Sequence, residues 1–256
     1  MQPEDYAYLH ELEEEFWWFA GMREITATLL DPVCPPGKDR LILDAGCGTG
    51  GMLSWLRSYA GKGNVVGIDL FPMALEFCRR RGHEALAQAS VVRLPFPDST
   101  FDLLTSFDVL AQLPGEKSDE LAIREMQRVL QPGGIVFVRV AAYEWMKSGH
   151  DAALGTQHRY LLSELVAKMK QAGFEILRES YANSVLMPVA MLRRLVLKRV
   201  GIANRGSDVK PLPAGLRWFN YLLMGALRAE AQLLKHRGVK LPAGLSAICL
   251  AKKPHP

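Results

Sequence analysis

The sequence predicts an α/β fold in which a doubly wound, mostly parallel sheet is flanked by helices. Three observations predict it. The apolar run Leu41-Ile42-Leu43 meets an acid, Asp44, then the glycine-rich stretch Gly46-Cys47-Gly48-Thr49-Gly50-Gly51, and helical sequence opens at about Met52. A second apolar run, Asn64 to Ile68, ends in Asp69, about 20 residues past the glycines, where doubly wound folds carry an acid. Further apolar runs at 101–113 and 135–140 alternate with helical stretches, the pattern of βαβ units.

Glycines after a strand let the backbone turn tightly and approach a ligand with no Cβ in the way. The following helix then aims its first N–H groups at whatever lies over the turn. Gly46, Gly48 and Gly51 also satisfy the G-x-G-x-x-G dinucleotide pattern, which is weak on its own. Asp44 discriminates, because a carboxylate there would repel a pyrophosphate and suits a ligand with a cationic centre and an amino group. Asp44 to Gly50, read as D-A-G-C-G-T-G, resembles motif I of the class I S-adenosylmethionine-dependent methyltransferases. Leu94-Pro95-Phe96-Pro97-Asp98-Ser99-Thr100-Phe101-Asp102 resembles the L-P-F-x-D-x-x-F-D segment that leads into strand four of the small-molecule members.

That resemblance implies a Rossmann-like seven-stranded sheet with strand seven antiparallel, and S-adenosylmethionine as the cofactor. Asp44, Ala45, Gly46, Cys47, Gly48 and Gly50 would hold its methionine end. Asp69 would accept ribose hydroxyls, with Leu70 beside it. Ser90 and Val91 would flank the adenine, Ser90 standing where family members usually place an Asp. Phe107, together with Arg23 reaching a carboxylate from the N-terminal arm, completes the cofactor-binding candidates.

In chain order, residues 4–31 read as helical, with acids early and a cluster of adjacent aromatics at Phe16-Trp17-Trp18-Phe19. Adjacent residues cannot share one helix face, so this cluster either pins the arm to the core or forms a lid over the cofactor mouth. Pro32 to Gly37 breaks the helix. Helix 52–60 follows the glycine loop. Pro72 starts the next helix, which carries Arg79-Arg80-Arg81 as its solvated end and stops at Gly82. Strand four is expected over Phe101 to Leu113, an amphipathic helix over 118–130, and strand five over Ile135 to Val140. Where some relatives place a histidine after strand four, Gln112 stands, which cannot act as a base.

Beyond strand five, Asp151, Gly155, His158, Arg159 and Tyr160 resemble the D-x-x-x-G-H-x-R-R-Y stretch of a bacterial methyltransferase subgroup associated with lipid and surface-glycan pathways. An oxygen acceptor would need deprotonation, and His158, Asp151, His150 and Tyr160 are the candidates for acid–base work. The other reading is that His158 and Arg159 cap helix 161–172 or bind its neighbours. Strand six is expected over Phe174 to Tyr181 and strand seven over Leu245 to Lys252. Between them lie about 60 residues, with apolar-and-basic sequence over 187–200 and an amphipathic helix over 218–235. The divisions are an arm at 1–36, a cofactor-binding core at 37–183, a helical cap at 184–243, and a final strand and tail at 244–256.

The four cysteines are scattered and read as free thiols in a reducing compartment, or as buried small hydrophobes. No His/Cys/carboxylate cluster has metal-ligand spacing. The start lacks a secretory pattern, and no apolar run approaches the roughly 20 residues that span a bilayer. The expectation is a cytoplasmic protein, either free or peripheral at the inner face of the membrane. The net charge of +4 hides an asymmetry: residues 1–31 carry −7 and residues 190–256 carry +11. Either the two ends form solvated faces or pack on each other, or the basic end meets anionic lipid.

The expected function is methyl transfer from S-adenosylmethionine to a small-molecule or lipid-like acceptor. A non-catalytic cofactor-binding protein and a nicotinamide oxidoreductase are the rivals. Nucleic acid is not expected as a partner, since no recognition module is visible. The cap either packs on the sheet domain or forms a homodimer, or it contacts a membrane through 187–200.

Overall fold

A computed structural model describes residues 3–192 and 217–255. Its strands are β1 (Leu41–Ala45), β2 (Asn64–Asp69), β3 (Leu86–Gln88), β4 (Phe101–Phe107), β5 (Leu130–Ala141), β6 (Glu175–Ala182) and β7 (Ser246–Lys252). They form one sheet in the order β3-β2-β1-β4-β5-β7-β6. All neighbours are parallel except β7, which runs antiparallel to β5 and β6. This is the predicted seven-stranded arrangement. The chain leaves β1 towards β2 on one side and returns as β4 on the other, so the order reverses beside β1. In such sheets that point opens a ligand crevice at the carboxyl ends of the strands.

The central strands are near-continuous apolar runs because both of their faces are covered. Leu43, Leu104, Val136 and Val138 pack against Ile123 and Met126 of α5 (Ser118–Val129) and Leu165 and Met169 of α7 (Leu162–Gln171). On the other face, Ile42, Leu103, Phe137 and Leu250 meet Leu53 and Leu56 of α3 (Gly51–Ala60) and Ile25 and Leu29 of α2 (Trp17–Leu30). Leu227, Ala231 and Leu234 of α8 (Arg217–Leu234) join that second core. The remaining α-helices among the described residues are α1 (Pro3–Glu15), α4 (Pro72–Arg80) and α6 (Gly149–Leu154).

Three sequence expectations shift. The helical stretch 4–31 is two helices, because Phe16 is extended at φ −78° and ψ 127°. The break lets neighbouring aromatics address different surfaces: Phe16 is buried, while Trp18 reaches β5. Strand four stops at Phe107, since Asp108 turns the chain at φ 63° and Leu110–Gln112 form a single 3-10 turn. Strand five begins its pairing earlier, with Leu130 opposite Phe101.

The acid-rich and basic ends of the chain meet where α8 lies on α2. Gly21 admits the contact: a Cβ there would stand 2.3 Å from Leu227 Cδ1. Arg228 Nε adds an exposed ion pair at 3.0 Å to Glu24 Oε2. Glu230, buried on the same helix, accepts the backbone N–H groups of Asn183 and Ser184 at 2.5 and 2.7 Å. It thereby fixes the chain leaving β6. The expectation for 187–200 falls largely on residues outside those described, as does part of the basic excess. Among the described residues no helix is long and apolar enough to cross a membrane.

Candidate active site

Asp44 sits one residue before the end of β1, is 1% exposed, and its Oδ1 accepts a 2.7 Å bond from Thr105 Oγ1 of its register partner on β4. The chain then turns, with Gly46 N and Cys47 N both donating to Ile68 O. Gly46 must be glycine: it holds φ 91°, and a Cβ would stand 2.2 Å from Val109 Cγ2. Gly48 differs in kind, for a Cβ on it would enter open space. That side of the loop is open to a ligand. Asp69 closes the turn by accepting Gly48 N on Oδ2 and Phe71 N on Oδ1, both at 3.0 Å. Beyond it Leu70 and Phe71 stand exposed, an apolar shelf beside the acid. Cys47 is buried, 3.8 Å from Cys78 Sγ, and burial together with that contact drives its thiol pKa up. It is a packing residue of the loop.

Sequence reasoning missed Glu13. This residue of α1 sends its carboxylate into the start of α3, where Oε2 accepts Thr49 Oγ1 at 2.5 Å and Gly51 N at 3.0 Å. Gly50, the residue before α3, offers that helix no side-chain cap, so Glu13 caps it from 38 residues away. Capping carboxylates suit the positive end of a helix dipole. Arg81 completes the latch. Its guanidinium reaches Glu13 Oε2 at 3.3 Å, Thr49 O at 3.0 Å and His10 O at 2.5 Å. The run Arg79-Arg80-Arg81 is therefore not wholly a solvated helix end, because the Arg81 side chain is 8% exposed. Arg23 stands behind the latch and donates to Glu13 O at 3.0 Å.

The electrostatics follow from this packing. Burial raises the pKa of Glu13 and of Asp69. Burial pushes Asp44 up to about 7, the Thr105 hydrogen bond opposing and the charges of Glu13 and Asp69 adding. With Glu13 already paired to Arg81, the acids left beside the loop, Asp44 and Asp69, suit a cation better than a phosphate. The helix N-terminus that would seat a pyrophosphate already holds the chain's own carboxylate. S-adenosylmethionine, with a sulfonium, an ammonium and no phosphate, fits this donor set.

Further along the rim, Ser90 Oγ accepts Val92 N at 3.4 Å and Val91 is buried. Phe107 lies on the same sheet face as Asp44 and Thr105, since paired parallel residues share a face and faces alternate along a strand. Its ring stands 5.8 Å from Phe137 and 5.0 Å from the guanidinium of Arg139.

The acid–base candidates are largely engaged in the scaffold. Tyr160 is buried, and its hydroxyl donates to Asp119 Oδ2 at 2.7 Å. Burial and that partner both raise its pKa, so it supplies no phenolate. Asp151 is also buried. Its Oδ1 accepts Arg159 Nε at 2.6 Å, and its Oδ2 accepts Ser148 N and Oγ at 2.8 and 3.2 Å, closing a capping box on α6. Arg159 Nη1 continues to Ala142 O at 3.0 Å. These residues fix the loop after β5; their polar spacing resembled acid–base equipment because burial is invisible in a motif. His158 is half-exposed, with Nε2 3.0 Å from Glu164 Oε1 in the first turn of α7 and Nδ1 3.5 Å from Glu144 Oε2. His150 lies on α6, and its side chain is outside those described.

The fold and the glycine loop together have the form of a class I S-adenosylmethionine-dependent methyltransferase domain. Residues 43–138 match the family described as a methyltransferase domain. The chain carries a methyltransferase domain of that class. It is similar to the fatty-acid O-methyltransferase of Mycolicibacterium smegmatis, 32% identical over 67% of this chain and 63% of that protein. It is also similar to the tRNA (carboxymethyluridine(34)-5-O)-methyltransferase of Arabidopsis thaliana, 33% identical over 49% of this chain and 29% of that protein. The chain thus spans less than two thirds of either relative. Its fold matches a chain of the Haloferax volcanii complex that contains the Trm112 methyltransferase activator, with a TM-score of 0.62, 17% identity, and coverage of 99% and 96%. It also matches the Haemonchus contortus phosphoethanolamine N-methyltransferase 2 in complex with S-adenosyl-L-methionine, with a TM-score of 0.58, 18% identity, and coverage of 91% and 53%.

The expectation that nucleic acid is excluded as a partner is overturned. A relative acts on tRNA by name, and the Haloferax volcanii structure with the same fold includes the Trm112 activator. The absence of a visible recognition module therefore did not exclude RNA, since this chain matches only 29% of the length of that tRNA relative.

Proposed function

We propose that this chain transfers a methyl group from S-adenosylmethionine to an oxygen of a small-molecule or lipid-like acceptor. The observation that carries the reading is the set of two buried carboxylates, Glu13 and Asp44, and the half-buried Asp69 around a glycine loop whose helix N-terminus is internally capped. Asp44 and the backbone from Ala45 to Gly50 would hold the methionine end. Asp69 would take the ribose hydroxyls, and Leu70, Ser90 and Val91 would bound the adenine. Arg23 and Phe107 would bound the same space. The bound cofactor supplies a methyl group on a sulfonium, which is already a good leaving group. The chain's work is then alignment of the acceptor oxygen and exclusion of water. His158, held by Glu144 and Glu164, would take a proton from an acceptor that carries one.

The fatty-acid relative supports the lipid-like acceptor. A second reading, with tRNA as acceptor, is favoured by the carboxymethyluridine relative. By their names both of those proteins methylate an oxygen. The test uses purified protein, methyl-labelled S-adenosylmethionine and the lipid, small-molecule and RNA fractions of a cell extract. Label in the lipid or small-molecule fraction supports the first reading, and label in RNA the second. Cofactor binding in calorimetry with no transfer into any fraction would replace both with a non-catalytic binding role.

A further inference from the structure

The cofactor assignments leave one buried cation of the rim unused. Arg139 lies on β5 two residues from its end, and its side chain is 7% exposed. It shares the sheet face of Asp44 and Thr105, since Thr105 pairs with Phe137 and Phe107 with Arg139. Two strand spacings, about 10 Å, separate β5 from β1 and the glycine loop. That offset sets Arg139 to one side of the glycine loop, on the sheet face it shares with Asp44.

Its surroundings fix the guanidinium and leave an edge of it available. Asp108 Oδ2 accepts Nε at 3.0 Å and Nη2 at 2.7 Å, while Asp108 N donates back to Arg139 O at 2.8 Å. Asp108 holds φ 63°, an uncommon conformation for a non-glycine residue. The rings of Trp18 and Phe107 stand 4.8 and 5.0 Å from the guanidinium carbon. Nη1 makes no hydrogen bond among the described residues. A planar guanidinium packed against rings, with part of its donor edge unpaired, matches a carboxylate.

The engaged bases point the same way. Tyr160 and Asp151 are locked into the scaffold, whereas a carboxylate is already ionised at neutral pH and needs no base. We propose that Arg139 seats the carboxylate of the acceptor, and that the atom methylated is a carboxylate oxygen; this rests on the methyl-transfer reading above. A lone pair of the seated oxygen attacks the methyl carbon, the O–C bond forms as the C–S bond breaks, and the bonding pair stays on sulfur. The products are a methyl ester and a neutral thioether, and no proton moves. Trp18 and Phe107 line the seat, and Asp108 is the positioning residue that orients the guanidinium.

The test joins product chemistry to variants. Wild-type protein is given methyl-labelled S-adenosylmethionine with hexadecanoic acid, with hexadecan-1-ol, and with cellular RNA, and each product is treated with mild alkali. Label released as volatile methanol marks an ester; release from the hexadecanoic acid product identifies a free lipid acid, and release from RNA a carboxyl group on a nucleoside. Arg139→Gln should lower kcat/KM for the responding carboxylate about 100-fold, with partial rescue in Arg139→Lys. Cofactor Kd in calorimetry should stay near the wild-type value, which also verifies that the variants fold. Alkali-stable label overturns the proposal while leaving methyl transfer intact. An Arg139→Gln effect confined to cofactor Kd overturns it too, assigning the guanidinium to the cofactor's own carboxylate. No transfer to any acceptor overturns this proposal and the methyl-transfer reading together.

Discussion

The carboxylate of Glu13 fills the space that a side chain at residue 51 would need. A Cβ on Gly51 would stand 2.6 Å from Glu13 Oε2, the same oxygen that accepts Gly51 N at 3.0 Å. The third glycine of the G-x-G-x-x-G pattern is thus explained by an internal acid, not by a pyrophosphate. Gly51→Ala should evict Glu13 and lower stability by about 1–3 kcal/mol. Adding Glu13→Gly removes the carboxylate together with the Cβ that would stand 2.9 Å from the new methyl, so the double variant should lose less than the two single losses combined, by about 1 kcal/mol or more. Urea unfolding of the four proteins measures this, and strict additivity would dissolve the latch.

Asp44 carries the pH dependence. Its pKa in the folded protein is about 7, above the ordinary 3.8. Between those values the folded state keeps a proton that the unfolded state releases, so stability of the free protein falls as pH rises through this window and then levels. Taken whole, the shift bounds that loss at about 4 kcal/mol. A bound cation requires the ionised carboxylate, so cofactor affinity should rise with pH towards about 7 and then flatten. Glu13 and Asp69, raised by burial as well, act with the same sign. Calorimetry in buffers of different ionisation enthalpy should register proton release on binding. Asp44→Asn should abolish most of that release and weaken binding about 10–100-fold.

Tyr160 and Asp151 should behave as scaffold. Tyr160→Phe deletes the bond to Asp119 and should cost about 1–2 kcal/mol of stability while leaving turnover within a few-fold. Asp151→Asn leaves the buried Arg159 guanidinium without its charge partner, and losses of about 3–5 kcal/mol attend such changes. Thermal melts beside single-turnover rates separate the two effects. A Tyr160→Phe protein that melts normally but turns over a hundred times more slowly would return the phenol to the chemistry.

Glu230 should govern the chain leaving β6. Its carboxylate accepts the amides of Asn183, Ser184 and Val185. Glu230→Ala removes that acceptor and should raise hydrogen exchange at those three amides, with the β1 amides unchanged. Uniform loss of protection across the sheet would show instead that α8 holds the whole fold.

What was legible in the sequence is what is local. The strand, acid and glycines of 41–51 define their turn within a dozen residues, and the L-P-F segment announces β4 from beside it. The break at Phe16 was hidden because neither glycine nor proline marks it. Glu13 was hidden because its partners lie 36 and 38 residues away, and one acid in the run Glu13-Glu14-Glu15 looks like the next. Strand four was read too long because Val109, Leu110 and Leu113 continue the apolar run past Asp108, whose backbone ends it. Tyr160 and Asp151 were read as chemistry because a polar spacing gives no sign of burial.

The latch also has a consequence for descent. An acid at 13, a glycine at 51 and an arginine at 81 sit on three separate helices or helix ends, yet each is shaped by the other two. A substitution at one should tolerate drift only when the others drift with it. Among relatives the three positions should therefore change as a set, and a relative that has gained a side chain at 51 should have lost its acid at 13. Such lineages would have vacated the start of α3, and they are the ones in which this fold could begin to accept phosphate.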